Sequence, residues 1–219
     1  QENLVIPTRS FTLRGTLDKN GFLVSSIDGG IDRAIVISDN LQGVTFEHLV
    51  VTGLHANNGG GAYIYRSNPS FTNCRFENCS TSGTSTYDGG GAVYIFGTSP
   101  THIPSFDGCA FLGNTSDKGG AIAIRSGSGS YYYSAVFTDC LFQDNTASAG
   151  GAIGSLSSNR LGVDLDRCAL INNESITDTG HAIHGVSGLS TSLHSCSIVL
   201  DGAESDDLVS GSWEDLGHN

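Results

Sequence analysis

The sequence predicts an all-β chain, a right-handed parallel β-helix (solenoid) of about seven to eight coils. Three observations point there: an internal repeat 28 to 35 residues long, short apolar/polar alternations within each repeat, and 30 glycines against four prolines in 219 residues. Self-similarity at a period of roughly 20 to 50 residues marks a solenoid. Alternation with period two marks strands, and glycine at this density marks tight turns.

The repeat is anchored on cysteines. Cys74, Cys109, Cys140, Cys168 and Cys196 are separated by 35, 31, 28 and 28 residues, and Leu49 takes the same place 25 residues before Cys74. Three residues before these positions stand Phe46, Phe71, Phe106, Phe137, Leu165 and Leu193. Two residues after them stand Val51, Phe76, Phe111, Phe142, Leu170 and Ile198. All are large and apolar, so the coils should stack with like on like, each strand pairing in parallel with its counterpart about 4.8 Å away.

Five residues after four of the cysteines come Asn114, Asn145, Asn173 and Asp201, with Cys79 and Leu54 in the equivalent places of the two earlier coils. A second element follows: Gly60-Gly61-Ala62, Gly90-Gly91-Ala92, Gly119-Gly120-Ala121, Gly150-Gly151-Ala152 and the variant Gly180-His181-Ala182, each before an apolar or aromatic residue. A minimal coil needs roughly 22 to 25 residues at strand rise. The surplus falls in three segments of loop composition, Ser80 to Asp88, Gly97 to Pro104 and Ser126 to Ser134.

Residues 1–219 are expected to form one β-helix domain belonging to a larger chain. The apolar pairs Leu4/Ile6, Phe11/Leu13, Phe22/Val24 and Ile35/Ile37 read as less regular coils within residues 1–44, the regular repeats occupy 45–200, and 201–219 reads as an acidic final coil or cap. With no Met at position 1 and no signal-peptide pattern, Gln1 reads as the start of a processed chain or of an excerpt.

Charge narrows the partners. The 22 acidic and 10 basic residues give a net charge of −12, which repels phosphate backbones, so nucleic acid is not expected to bind. No run reaches the roughly 18 apolar residues of a membrane-spanning helix.

In a parallel ladder the cysteine Cβ vectors point the same way, which works against the disulfide dihedral, so the thiols are expected to be free, buried and hydrophobe-like. A one-dimensional row also gives a metal no converging ligands, and no cofactor is expected. Asn114, Asn145 and Asn173 read as a corner ladder of amides bonded to one another and to the backbone. Asn78, Asn114 and Asn173 open Asn-x-Ser sequons. A glycan and an inward amide exclude each other at one residue, which leaves Asn78 as the best acceptor in a eukaryotic host.

Gly-Gly-Ala followed by an aliphatic residue, alternating with Phe-x-x-Asn as in Phe111-Leu-Gly-Asn114 and Phe142-Gln-Asp-Asn145, resembles the repeats of the chlamydial polymorphic outer-membrane proteins and similar β-helix surface proteins of bacteria and algae. Phe76-Glu-Asn-Cys79, Leu170-Ile-Asn-Asn173 and His181 depart from the pattern, and the resemblance covers residues 45 to 200. It implies a secreted or surface-displayed β-helix used in adhesion. The fold also resembles that of pectate lyases and polygalacturonases.

For such an enzyme the needed groups are sparse, since the chain has two Lys and eight Arg spread along its length. Asp164 and Asp166 flank inward Leu165 and read as a solvated face. Asp178, His181 and His184 form the densest ionisable cluster, at a spacing with no specificity of its own. The candidate binding surface is a loop flank bearing Tyr131, Tyr132, Tyr133, His102 and Tyr87, where aromatic rings give contact area at little entropic cost. The leading expectation is an extracellular or cell-surface structural module, self-associating through coil ends or the loop flank. The alternatives are an adhesin binding glycans or proteins, and a polysaccharide lyase or hydrolase.

Overall fold

The computed structural model describes residues 4–6, 10–38, 41–55, 57–127, 133–157, 161–177, 180–185, 189–199, 209–210 and 212–215. Among these, every regular element is a strand. The strands make four parallel sheets of eight, eight, seven and five members, each joined to its counterparts from neighbouring coils. One coil shows the path: Val93–Gly97 in the first sheet, Ser105–Asp107 in the second, Ala110–Leu112 in the third and Thr115–Lys118 in the fourth. The next coil repeats it in register, with Phe106 opposite Phe137 and Phe111 opposite Phe142.

About six regular turns result, slightly fewer than the repeat spacing suggests. They run from Ile35–Ile37 to Ser197–Val199. The shortfall lies at the ends. Leu4–Val5, Phe11–Arg14 and Ser26–Asp28 make an irregular first pass, and Val209–Ser210 and Ser212–Asp215 add part of a last one.

Two expectations for the early coils are corrected. Phe22 and Val24 are not an inward strand pair: they are 68% and 59% exposed. They lie on and just beyond a small antiparallel turn in which Leu17 bridges Leu23, the Asp18 carboxylate accepts the N–H groups of Asn20 and Phe22, and Gly21 sits at φ 86°. Ile27, in Ser26–Asp28, packs on the core instead. Leu54 does not stand in the asparagine column either. Ser80 pairs with Leu54, so the register slips by one residue and Gly53 takes the column.

The core is two columns of phenylalanine. Phe46, Phe71, Phe106 and Phe137 stack at 4.8, 5.1 and 4.9 Å, and Phe76, Phe111 and Phe142 at 5.2 and 4.7 Å. Rings of the two columns meet edge to face, as Phe106 and Phe111 do at 5.6 Å. Both arrangements suit the ring quadrupole, and the spacing is that of the rungs.

Corners are made by residues in the left-handed region. The position before each cysteine is occupied by Asn73, Asn78, Gly108, Asp139, Arg167 and Ser195 at φ 50° to 60°. Asn and Asp tolerate this conformation better than most side chains. The Gly-Gly pairs answer a stricter demand. Gly119 has φ 61°, and a Cβ there would lie 1.9 Å from the carbonyl oxygen of Ile122. At Gly120 a Cβ would meet the carbonyl oxygen of Gly151 at 2.2 Å, so the coils approach backbone to backbone.

Candidate ligand-binding face

The asparagines occupy a buried corner. Asn114 and Asn145 are fully buried and Asn173 is 2% exposed. Nδ2 of Asn114 donates to Oδ1 of Asn145 at 2.9 Å, and Nδ2 of Asn145 to Oδ1 of Asn173 at 2.8 Å. Each amide also donates to a phenylalanine carbonyl of the preceding coil: Phe76, Phe111 and Phe142 in turn. Of the three sequon asparagines only Asn78 is exposed, at a corner with φ 53°.

All six cysteines are free and buried. Each thiol donates to a carbonyl of the preceding coil, for example Cys109 to Phe71 at 3.4 Å and Cys140 to Phe106 at 3.5 Å. Burial pushes the Cys79 thiol up to about 12 and raises Cys109 well above its ordinary value.

Of the residues expected on the loop flank, His102 and Tyr87 are described with their side chains. Gly97 and Gly127 are joined by a 2.9 Å backbone hydrogen bond, so those two loops begin side by side. His102, however, is 7% exposed, and its Nδ1 accepts the N–H of Thr98 within its own loop. Tyr131 and Tyr132 lie outside the described residues, and Tyr133 begins the strand Tyr133–Thr138. Tyr87 is 48% exposed and leans over the first sheet, with the Arg125 guanidinium 3.7 Å from its ring centre.

The histidines of the later coils serve local packing. Nδ1 of His181 accepts from the Ser175 N–H, and His184 bonds to the Ser210 hydroxyl, while Asp178 lies outside the described residues. Asp164 accepts from the Ser134 hydroxyl, and Asp166 joins Arg167 and His194 in an exposed corner network.

What Tyr87 leans over was not picked out from the sequence. In the strands Ala62–Tyr65 and Val93–Gly97, Ile64 and Ile95 point inward, which turns Tyr63, Tyr65, Tyr94 and Phe96 to the outer face. Tyr63 stacks on Tyr94 at 5.5 Å and Tyr65 on Phe96 at 5.0 Å. Tyr94 is covered and joins Ala123 and Leu156 in a small outer cluster, whereas Tyr63, Tyr65 and Phe96 stay half-exposed. Guanidinium groups close the stacks: Arg33 over Tyr63 at 4.6 Å, Arg66 over Tyr65 at 4.9 Å and Arg125 over Phe96 at 5.3 Å.

Beside the stacks, Nη2 of Arg33 lies 2.9 Å from Nδ1 of His55, which also accepts the backbone N–H groups of Asn57 and Asn58. Burial, then the neighbouring Arg33 charge, holds His55 below its usual range, so its imidazole is neutral at pH 7. Burial likewise lowers Arg33 and raises Tyr63 and Tyr94, all of which keep their ordinary charge at that pH. The result is a strip of ring edges and guanidinium groups running along the helix axis.

A family model described as a right handed beta helix region matches residues 20–198. The chain belongs to that family. The matched span contains all the residues of the aromatic strip. No curated protein and no solved structure matches this β-helix. No helix among the described residues is long and apolar enough to cross a membrane.

The sequence does carry a signal for the strip. After Gly-Gly-Ala, the outward positions hold Tyr63 and Tyr65, then Tyr94 and Phe96, whereas the coils that follow have Ala123 and Arg125, then Gly154. These large aromatics alternate with the fully buried Ile64 and Ile95, whose ladder continues at Ile124 and is the stronger pattern in the same strands.

Proposed function

We propose that this β-helix is an extracellular binding module that docks an extended glycan along the outer face of its first sheet, in the manner of an adhesin. One observation carries the reading: Tyr63, Tyr65, Phe96 and Tyr87 remain partly exposed on the outer face of the first sheet, with Tyr65 and Phe96 stacked from coil to coil, beside arginines. Aromatic edges with polar tips suit sugar rings, and a strip on a rigid sheet suits a linear polymer better than a compact ligand. The likeness of the Gly-Gly-Ala and Phe-x-x-Asn repeats to those of adhesive surface proteins supports it by analogy.

The test is binding of the intact chain to an array of linear polysaccharides, compared with the double variant Tyr65→Ser/Phe96→Ser. Retention of wild-type by at least one polymer, with loss in the variant at a nearly unchanged circular dichroism spectrum, supports the assignment. Equal retention of both proteins would move the function off this face.

A second reading, assembly through a coil end, is favoured by exposed apolar residues gathered near the first pass: Leu17, Phe22, Val24 and Ile31 at 44%, 68%, 59% and 87%. Sedimentation of the wild type and of Phe22→Ser/Ile31→Ser decides it. A concentration-dependent larger species that disappears in the variant supports assembly, and a monomer throughout removes it.

A further inference from the structure

Among the described residues, the arginines that form no ion pair gather on this aromatic face. Six arginines lie among the described residues. Arg14, Arg75 and Arg167 each contact a carboxylate: Glu47, Glu77, and Asp139 with Asp166. Arg33, Arg66 and Arg125 form no ion pair with any described residue, and these are the three that cap the aromatic stacks. Nε of Arg33 is buried and lacks a hydrogen-bond partner. Half-buried Arg33 carries the clearest demand for an acceptor, because its unmatched Nε has given up water without gaining a partner.

The geometry also spaces that anion. Tyr65 and Phe96 are parallel within 6° and 5.0 Å apart, which leaves no room for a guanidinium between them. Arg66 therefore covers the face of Tyr65 turned away from Phe96, and Arg125, from the next coil, covers the far face of Phe96. From one guanidinium to the other the steps are 4.9, 5.0 and 5.3 Å, with two uncharged rings between. Arg33 caps the other column at the end where Arg66 lies. Stacking uses the guanidinium faces and leaves in-plane N–H groups for an oxyanion, apart from those that Arg33 turns to His55 and Arg125 to Tyr94.

Resting on the glycan reading above, we propose that the face selects an acidic glycan whose charged sugars are separated by neutral ones. Carboxylate or sulfate groups are held by Arg33 and Arg66 at one end and by Arg125 at the other, with uncharged rings against the edges of Tyr65 and Phe96. A chain carrying a charge on every sugar would place anions over the rings, where no cation waits.

The experiment is titration calorimetry of the intact protein with four soluble polymers: a copolymer of glucuronate alternating with neutral sugar, its carboxyl-reduced form, a neutral chain carrying sparse sulfates, and a fully carboxylated polyuronate. Both sparse acidic chains should bind at least about tenfold more tightly than the reduced chain and lose affinity as salt rises. If only one of them does, that one names the anion. Arg66→Gln and Arg125→Gln should each remove about tenfold from the acidic chains while leaving the reduced chain unaffected. Equal affinity for the reduced chain, or tighter binding of the polyuronate, overturns the proposal while leaving glycan binding intact. Failure of all four polymers to bind overturns the glycan reading with it.

Discussion

Asn145 donates from Nδ2 to Oδ1 of Asn173 at 2.8 Å and holds the backbone N–H of Asn114 with its own Oδ1 at 2.9 Å. One buried side chain thus links three successive coils by bonding to the coil on either side of its own. Asn145→Ala leaves several buried partners unmatched, including the Phe111 carbonyl and the Asn114 N–H, and is expected to cost about 2 to 4 kcal/mol. Urea unfolding measures it. A change below about 1 kcal/mol would mean that water or a rearranged corner replaces the amide.

The phenylalanine columns make a second prediction. Phe111 is fully buried between Phe76 and Phe142, at 5.2 and 4.7 Å. Phe111→Ala removes the ring and leaves a cavity that the flanking strands cannot close, for an expected loss of about 3 to 5 kcal/mol in the same assay. Phe111→Leu should retain most of the stability.

Thiol chemistry checks the corner from another side. With every cysteine buried and its thiol turned to a carbonyl, the native protein is expected to resist iodoacetamide. After denaturation all six should be alkylated, as counted by mass. Cys79, whose thiol burial raises to about 12, should be among the slowest in partial denaturant. A bridged pair found by peptide mapping would contradict the arrangement.

Acid should weaken the fold in a defined window. Burial lowers His55, His102 and His184 below the ordinary value of 6.5. Near that pH the unfolded imidazoles bind protons that the folded ones refuse, so stability rises with pH there and is lost on acidification. The melting temperature should fall between about pH 7 and pH 5, and His55→Gln should flatten part of the slope. A profile unchanged by that substitution would show that His55 is solvated in the native state.

The fold was legible in the sequence because stacking forces like onto like. Phe46, Phe71, Phe106 and Phe137 mark one column, and the Gly-Gly pairs mark the close approach of coils. The early coils were harder, since Phe22 and Val24 alternate as strand residues do while the Asp18 and Gly21 turn bends them outward. The slip at Gly53 was hidden because one missing residue leaves every later column intact. The candidate face was harder still. It depends on Arg33, Arg66 and Arg125 arriving from three coils, and no linear motif joins them.

The asparagine column has a direction, and with it an order in time. Oδ1 of Asn114 takes the N–H of Cys79, Asn145 that of Asn114, and Asn173 that of Asn145. None of these three corners is closed by its own coil, because each is completed by the one made after it. A chain made N-terminus first can complete each of these corners only after the following repeat exists.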